Sequence, residues 1–144
     1  MKKVVCSIII FGLLSAINSG CTKTGAAAGD DNIHQEDQSD DIFPVITITR
    51  PTDNQVYISG DSIIVEGNAT DNKSMYKGKV ILTNDASGFK VVEQYFETHF
   101  LKTLNFRVAY KATVTAPTDF TVSTEFEDHG NNISKTSLKV KVNP

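Results

Sequence analysis

The chain has 144 residues, two cysteines, no tryptophan and a formal charge of −3, a length that suits one domain. The charge is unevenly placed: residues 22–43 carry −5, while residues 44–144 are neutral, with 11 basic and 11 acidic side chains. A neutral domain lacks the clustered Lys and Arg that a phosphate backbone demands, so no nucleic acid is expected as a partner. Both cysteines, Cys6 and Cys21, precede residue 22, so the body of the chain forms no internal disulfide and must be held by burial.

Residues 1–20 read as a signal peptide. Lys2 and Lys3 give a positive start, and residues 4–17 are apolar apart from Ser7, Gly12 and Ser15. A membrane span needs about 20 such residues, so this run has the length of a signal-peptide core instead. Asn18-Ser19-Gly20-Cys21 follows and resembles the bacterial lipobox, in which a signal peptidase cuts before a cysteine that then carries lipid. Asn18 departs from the aliphatic residue usual there. Looser forms occur in Bacteroidetes lipoproteins, which the chain resembles overall. The resemblance implies a membrane anchor through lipid on Cys21, and two or three acyl chains anchor stably where one does not. Thr22, where an Asp would favour the inner membrane, implies the outer one. The expected location is an exported, envelope-held, outer-membrane-anchored protein on the periplasmic or the outer face. The alternative is an ordinary secretory signal with an incidental cysteine. Cys6 lies in the removed segment and has no role.

Residues 21–43 follow as the lipidated cysteine and an acidic linker with few large apolar side chains. Such a segment cannot bury enough surface to offset its ordering entropy and is expected to be disordered. It reads as a stalk. A surface-sorting signal is the sharper alternative, although Asp30-Asp31 stand late for one.

From Pro44 onward apolar and polar residues alternate between turn-forming clusters, the mark of strands with one buried face. Strands are expected over 45–50, 56–58, 62–70, 79–83, 90–97, 103–114, 119–127 and 133–142. Pro51-Thr52-Asp53-Asn54 breaks the first stretch, because Pro gives no ladder donor and Asp and Asn favour turns. Ile63, Val65, Ala69, Val80, Leu82, Phe120, Val122, Phe126, Leu138, Val140 and Val142 are the expected inward set, and Leu104, Phe106, Val108, Tyr110, Ala112 and Val114 share one face of the strand over 103–114. Lys139 and Lys141 on the last strand would blunt an exposed edge. Residues 90–97 are apolar on both faces and mark where an unpaired edge is expected. No segment has a helical period.

Pro44-x-Ile46-x-Ile48-x-x-Pro51, Gly60-Asp61-Ser62-Ile63, Gly67-x-Ala69-x-Asp71-Asn72 and Asp128-x-Gly130-Asn131 together resemble bacterial Ig-like domains of surface and periplasmic proteins. The resemblance spans residues 44–144 and implies an all-β immunoglobulin-like sandwich of about seven strands. The absence of Trp and of a domain disulfide excludes the antibody type, and Phe120 stands where the family often has Tyr. Small Ig-like lipoproteins of Bacteroidetes are the nearest resemblance.

In such a sandwich the loops 71–74, 99–102 and 128–132 gather at one end, and the linker arrives there too. Asp71, Asn72, Asp128 and Asn131 offer the oxygens a calcium ion takes. The alternative is that these residues only shape tight turns. Phe100 and His129 suit a tip that binds protein or glycan. Catalysis has no assembled group: His34 is in the linker, His99 and His129 lack metal spacing or a nucleophile elbow, and Glu125 and Glu127 share a solvated strand face. The chain is therefore not expected to be an enzyme. Asp61-Ser62-Ile63 resembles the short motif that Bacteroidetes O-glycosylate, which implies Ser62 as a modification site. Three sequons, at Asn68, Asn72 and Asn132, are expected to be silent in bacteria. The reading is a lipid-anchored, non-enzymatic envelope protein that presents one interaction module for an unknown protein or glycan. The alternative is an accessory subunit docked through a strand edge.

Overall fold

The computed structural model describes residues 39–144, so the leader, Cys21 and most of the linker lie outside the described residues. Eight strands succeed one another: β1 (Val45–Arg50), β2 (Gln55–Ile58), β3 (Ser62–Thr70), β4 (Met75–Asn84), β5 (Phe89–Glu97), β6 (Thr103–Lys111), β7 (Thr118–Asp128) and β8 (Ile133–Asn143). They form two sheets, β1-β3-β6 and β2-β8-β7-β4-β5. Paired neighbours are antiparallel except β2 and β8, which run parallel. This is the expected all-β, Ig-like sandwich.

The count is eight because the first stretch serves both sheets. β1 pairs with β3 and β2 pairs with β8, so the chain crosses between the sheets at residues 51–54. The crossing is fastened to β8: Asn54 N donates to Lys139 O at 2.7 Å, and Lys139 N donates to Asp53 Oδ1 at 2.9 Å. This overturns the edge role expected for the lysines of the last strand. β8 lies between β2 and β7, and Lys139 Nζ instead meets Asp85 Oδ2 at 3.2 Å. The long free edge of the larger sheet is β5, where the two-sided apolar pattern pointed.

Period two locates the core because successive side chains leave a strand on opposite faces. Ile63, Val65, Ala69, Val80, Leu82, Phe106, Phe120, Val122, Phe126, Val140 and Val142 are buried together, and Leu138 packs against them. β4 begins four residues earlier than its Val80-x-Leu82 pattern suggests. Met75 and Gly78 take its next inward places, and neither has strand propensity by itself. β6 ends at Lys111, short of the expected 114, because Val114 N turns to Ser59 Oγ at 2.9 Å.

Thr124 sits inward on β7 between Val122 and Phe126. It is 2% exposed, and its hydroxyl has no hydrogen-bond partner among the described residues. A buried hydroxyl without a partner costs about 1–3 kcal/mol. Thr124→Val keeps the shape and removes that cost, so it is expected to raise the thermal midpoint by several degrees in a calorimetric scan. An unchanged or lowered midpoint would mean that the hydroxyl is satisfied.

A candidate cation site at the loop tip

Loops 71–74, 98–102 and 128–132 meet at one end of the sandwich. Asp71 N donates to Lys102 O at 2.9 Å, Met75 N to Leu101 O at 2.9 Å, and His129 N to Ser74 O at 3.2 Å. Asp40, which the sequence assigns to the linker, arrives at the same place and is 7% exposed. Its Oδ1 accepts from Ile42 N at 3.2 Å and from Asn72 Nδ2 at 3.4 Å, and its carbonyl accepts from Asn132 Nδ2 at 2.9 Å. A Cβ on Gly130 would stand 2.7 Å from that carbonyl, so the backbones approach closely only over a glycine.

Asp128 closes the last loop from inside. Its Oδ1 accepts from Gly130 N at 2.7 Å and Asn132 N at 2.8 Å, and its Oδ2 accepts from Asn132 Nδ2 at 2.8 Å. Asp71 Oδ1 accepts from Lys73 N at 2.9 Å, whereas Asp71 Oδ2 is buried without a hydrogen-bond partner among the described residues. Carboxylate oxygens of Asp40, Asp71 and Asp128 lie within 4.8 Å of one another. Burial pushes the Asp71 carboxyl above its usual range. The Lys73 amide opposes this, and the nearby charges of Asp128 and Asp40 add to it.

The donor set fits a hard divalent cation: oxygen ligands, three carboxylates in close approach, and one buried oxygen left over. Asp40, Asp71 and Asp128 are the residues that would hold calcium. Asn72 and Asn131, the other expected ligands, stand at the same tip. Asn72 donates its amide to Asp40, and Asn131 is exposed and takes a turn conformation at φ 64°. Sequence reasoning missed Asp40 and the role of Asn132. Asp40 sits in an acidic run with no period to single it out, and Asn132 looked like one more turn former.

A carboxyl raised on folding costs stability as pH climbs from its unfolded value through the raised one, and costs nothing below both. Asp71→Asn keeps the acceptor for Lys73 N and removes the charge. Without divalent cations it is expected to raise the melting temperature at pH 7 and to leave it unchanged near pH 3. Calcium is expected to stabilise the native chain at pH 7 and not this variant, read by calorimetry with and without chelator. Equal calcium responses in the two proteins would remove Asp71 from the ligand set.

The remaining predicted residues are placed as follows. His129 is buried, with its ring centroid 5.6 Å from that of His99 and stacked 5.6 Å from that of Phe100. Phe100 is exposed. Ser62 is exposed where β3 starts, at the opposite end. Cys21 lies outside the described residues. Glu125 and Glu127 project from β7 into ion pairs: Glu125 bridges Lys79 at 2.9 Å and Lys135 at 2.8 Å, and Glu127 meets Lys77 at 3.1 Å. Lys135, then Lys79, hold the Glu125 carboxyl below its usual range.

No protein-family model matches the chain, and no curated protein sequence matches it. Among solved structures it is similar to the fibronectin(III)-like modules of CbhA from Clostridium thermocellum. The identity is 16% and the TM-score 0.44, over 71% of this chain and 46% of that one, so this chain spans less than half of that neighbour's length. It is also similar to the superoxide reductase (neelaredoxin) of Ignicoccus hospitalis, with 11% identity and a TM-score of 0.45, over 70% of this chain and 80% of that one. At these scores the likeness carries no argument about function, and the Ig-like assignment stands on strand order and register.

Proposed function

We propose that the chain is an exported, lipid-anchored protein of the bacterial outer membrane, and that its sandwich is a non-catalytic module for binding protein or glycan. One structural observation carries the reading. The chain reaches the sandwich at the loop tip, where Asp40 is pinned, so the far end, with the Asn84–Gly88 turn, lies opposite the point where the chain arrives. The outer face of the larger sheet is then open to a ligand, with Lys79, Ser123, Glu125, Lys135 and Ser137 around a shallow depression.

A second reading, an accessory subunit docked by strand addition, is favoured by β5 itself. Its outer edge pairs with no strand among the described residues, and it carries Phe89 and Tyr95 exposed. The test is fractionation followed by protease shaving of intact cells. The native chain is expected in the outer-membrane fraction and Cys21→Ala in the soluble one. A native chain that is soluble, or a variant that stays in the membrane, overturns the anchor. Release of peptides from residues 90–111 by shaving, with a periplasmic control intact, identifies an outward-facing module. Release only after the envelope is broken favours the accessory subunit, and crosslinking from Tyr95 then finds its partner.

A further inference from the structure

The tip that gathers the carboxylates also exposes large apolar side chains. Ile42, Phe43, Val45, Phe100, Leu101 and Ile133 all stand at this end, against Val56, Ile58 and Phe89 at the other. Phe100 is the sharpest case. It occupies the turn closed by Leu101 N donating to Thr98 O at 2.9 Å, with φ at 64°. Glycine or asparagine fills such a position cheaply, and a bulky residue there is an outlier. Phe100 is also 62% exposed, with its ring stacked on that of His129. The strained backbone costs stability, and the stack on His129 leaves most of the ring in solvent. Strain combined with exposure points to a surface that the ring meets.

The path of the chain selects that surface. Asp40 is fixed at the tip, and Cys21 lies nineteen residues before it. A polypeptide of that length spans at most ~65 Å. If Cys21 carries lipid, the bilayer is covalently held within reach of the tip, and the tip is the end of the sandwich nearest the anchor. A second contact with the same bilayer is then intramolecular, so a weak apolar affinity suffices to populate it. Apolar side chains around an end also match what a headgroup boundary accepts.

We propose that the loop tip docks on the lipid surface, inserting Phe100 and Leu101 at the headgroup boundary. This fixes the sandwich with the Asn84–Gly88 turn directed away from the membrane and β5 rising from the tip along its side. The inference rests on the lipid anchor proposed above and adds an orientation to it. It reassigns the tip from ligand binding to membrane contact, which leaves the outer sheet face and β5 for partners.

The chain has no tryptophan, so single Trp variants report position without background. Phe100→Trp and Leu101→Trp mark the tip. Phe89→Trp, at a residue 68% exposed beside the far turn, is the control. Each is made in the full chain, purified from bacterial membranes with its own leader processed, and reconstituted into phosphatidylcholine vesicles with or without brominated acyl chains. Vesicle flotation reads the anchor and Trp quenching reads the docking. The expected result is co-flotation of all three proteins, with blue-shifted emission and loss of most intensity to brominated lipid at positions 100 and 101, and none at position 89. Co-flotation without quenching at either tip position overturns the docking while leaving the anchor in place, and frees the tip for a protein partner. Equal quenching at all three positions overturns the orientation. Failure to float overturns the anchor, and the docking with it. Having two tip positions guards against one substitution disturbing its own loop.

Discussion

Gly78→Ala is expected to lower the thermal midpoint by roughly 15–20 °C. Gly78 lies on β4 directly between Phe96 of β5 and Phe126 of β7 in the strand register. The Phe126 ring lies over the glycine, so a Cβ there would stand 2.1 Å from it. The ring has nowhere to retreat. It is fully buried, with its centroid 6.2 Å from that of Phe96 and 5.6 Å from that of Phe106. Overpacking of this kind costs about 3 kcal/mol, a large share of the ~5–15 kcal/mol that holds a domain of this size. Gly78→Val is expected to prevent folding. Gly88→Ala is the control: an added Cβ meets open space, and only its φ of 70° is strained, a cost of about 1 kcal/mol. Circular dichroism melts of the three variants decide the matter. A Gly78→Ala protein that melts with the native one would mean that the aromatic cluster is not seated on β4.

Asp128→Ala is expected to cost about 3–4 kcal/mol and to loosen the whole tip. The side chain is fully buried and takes three hydrogen bonds, from Gly130 N, Asn132 N and Asn132 Nδ2. Truncation leaves two backbone donors and an amide facing a void, and a donor stranded in that way costs more than the bond it made was worth. The loss spreads because Asn132 Nδ2 also holds the carbonyl of Asp40. Hydrogen exchange is expected to accelerate at Gly130, Asn132 and Ile42, with no change in the middle of β7. Asp128→Asn should fall between the two, since its Oδ1 keeps both backbone donors while its Nδ2 meets the Asn132 amide. Unchanged exchange at Ile42 in Asp128→Ala would show that Asp40 is held independently. In the presence of calcium both variants are expected to lose the response that Asp71→Asn also lacks.

These two expectations separate what a sequence displays from what it conceals. The strands were legible because one buried face imposes period two, and Ile63-x-Val65 and Phe120-x-Val122 each display it locally. The break at Pro51 was legible from its missing donor. The gathering of the three loops at one end followed from the topology that the turn motifs implied, and the free edge at β5 from a strand apolar on both faces. Gly78 was not legible, because a glycine in a strand says nothing about which ring will lie over it. That ring comes from β7, 48 residues later. The linker residue Asp40 was equally silent. Its place depends on a carbonyl meeting the amide of Asn132, 92 residues away.

The sequence by itself determined the all-β class, the inward set of apolar residues and the turns, because each is written in the chemistry of near neighbours. Only the tertiary structure decided that the first stretch divides between two sheets, that β8 is interior to its sheet, and that Asp40 joins Asp71 and Asp128. It also decided that Phe100 takes a left-handed backbone conformation, at φ 64°, at the end where the chain arrives. Those features arise where residues distant in sequence meet, and no local pattern encodes the partner.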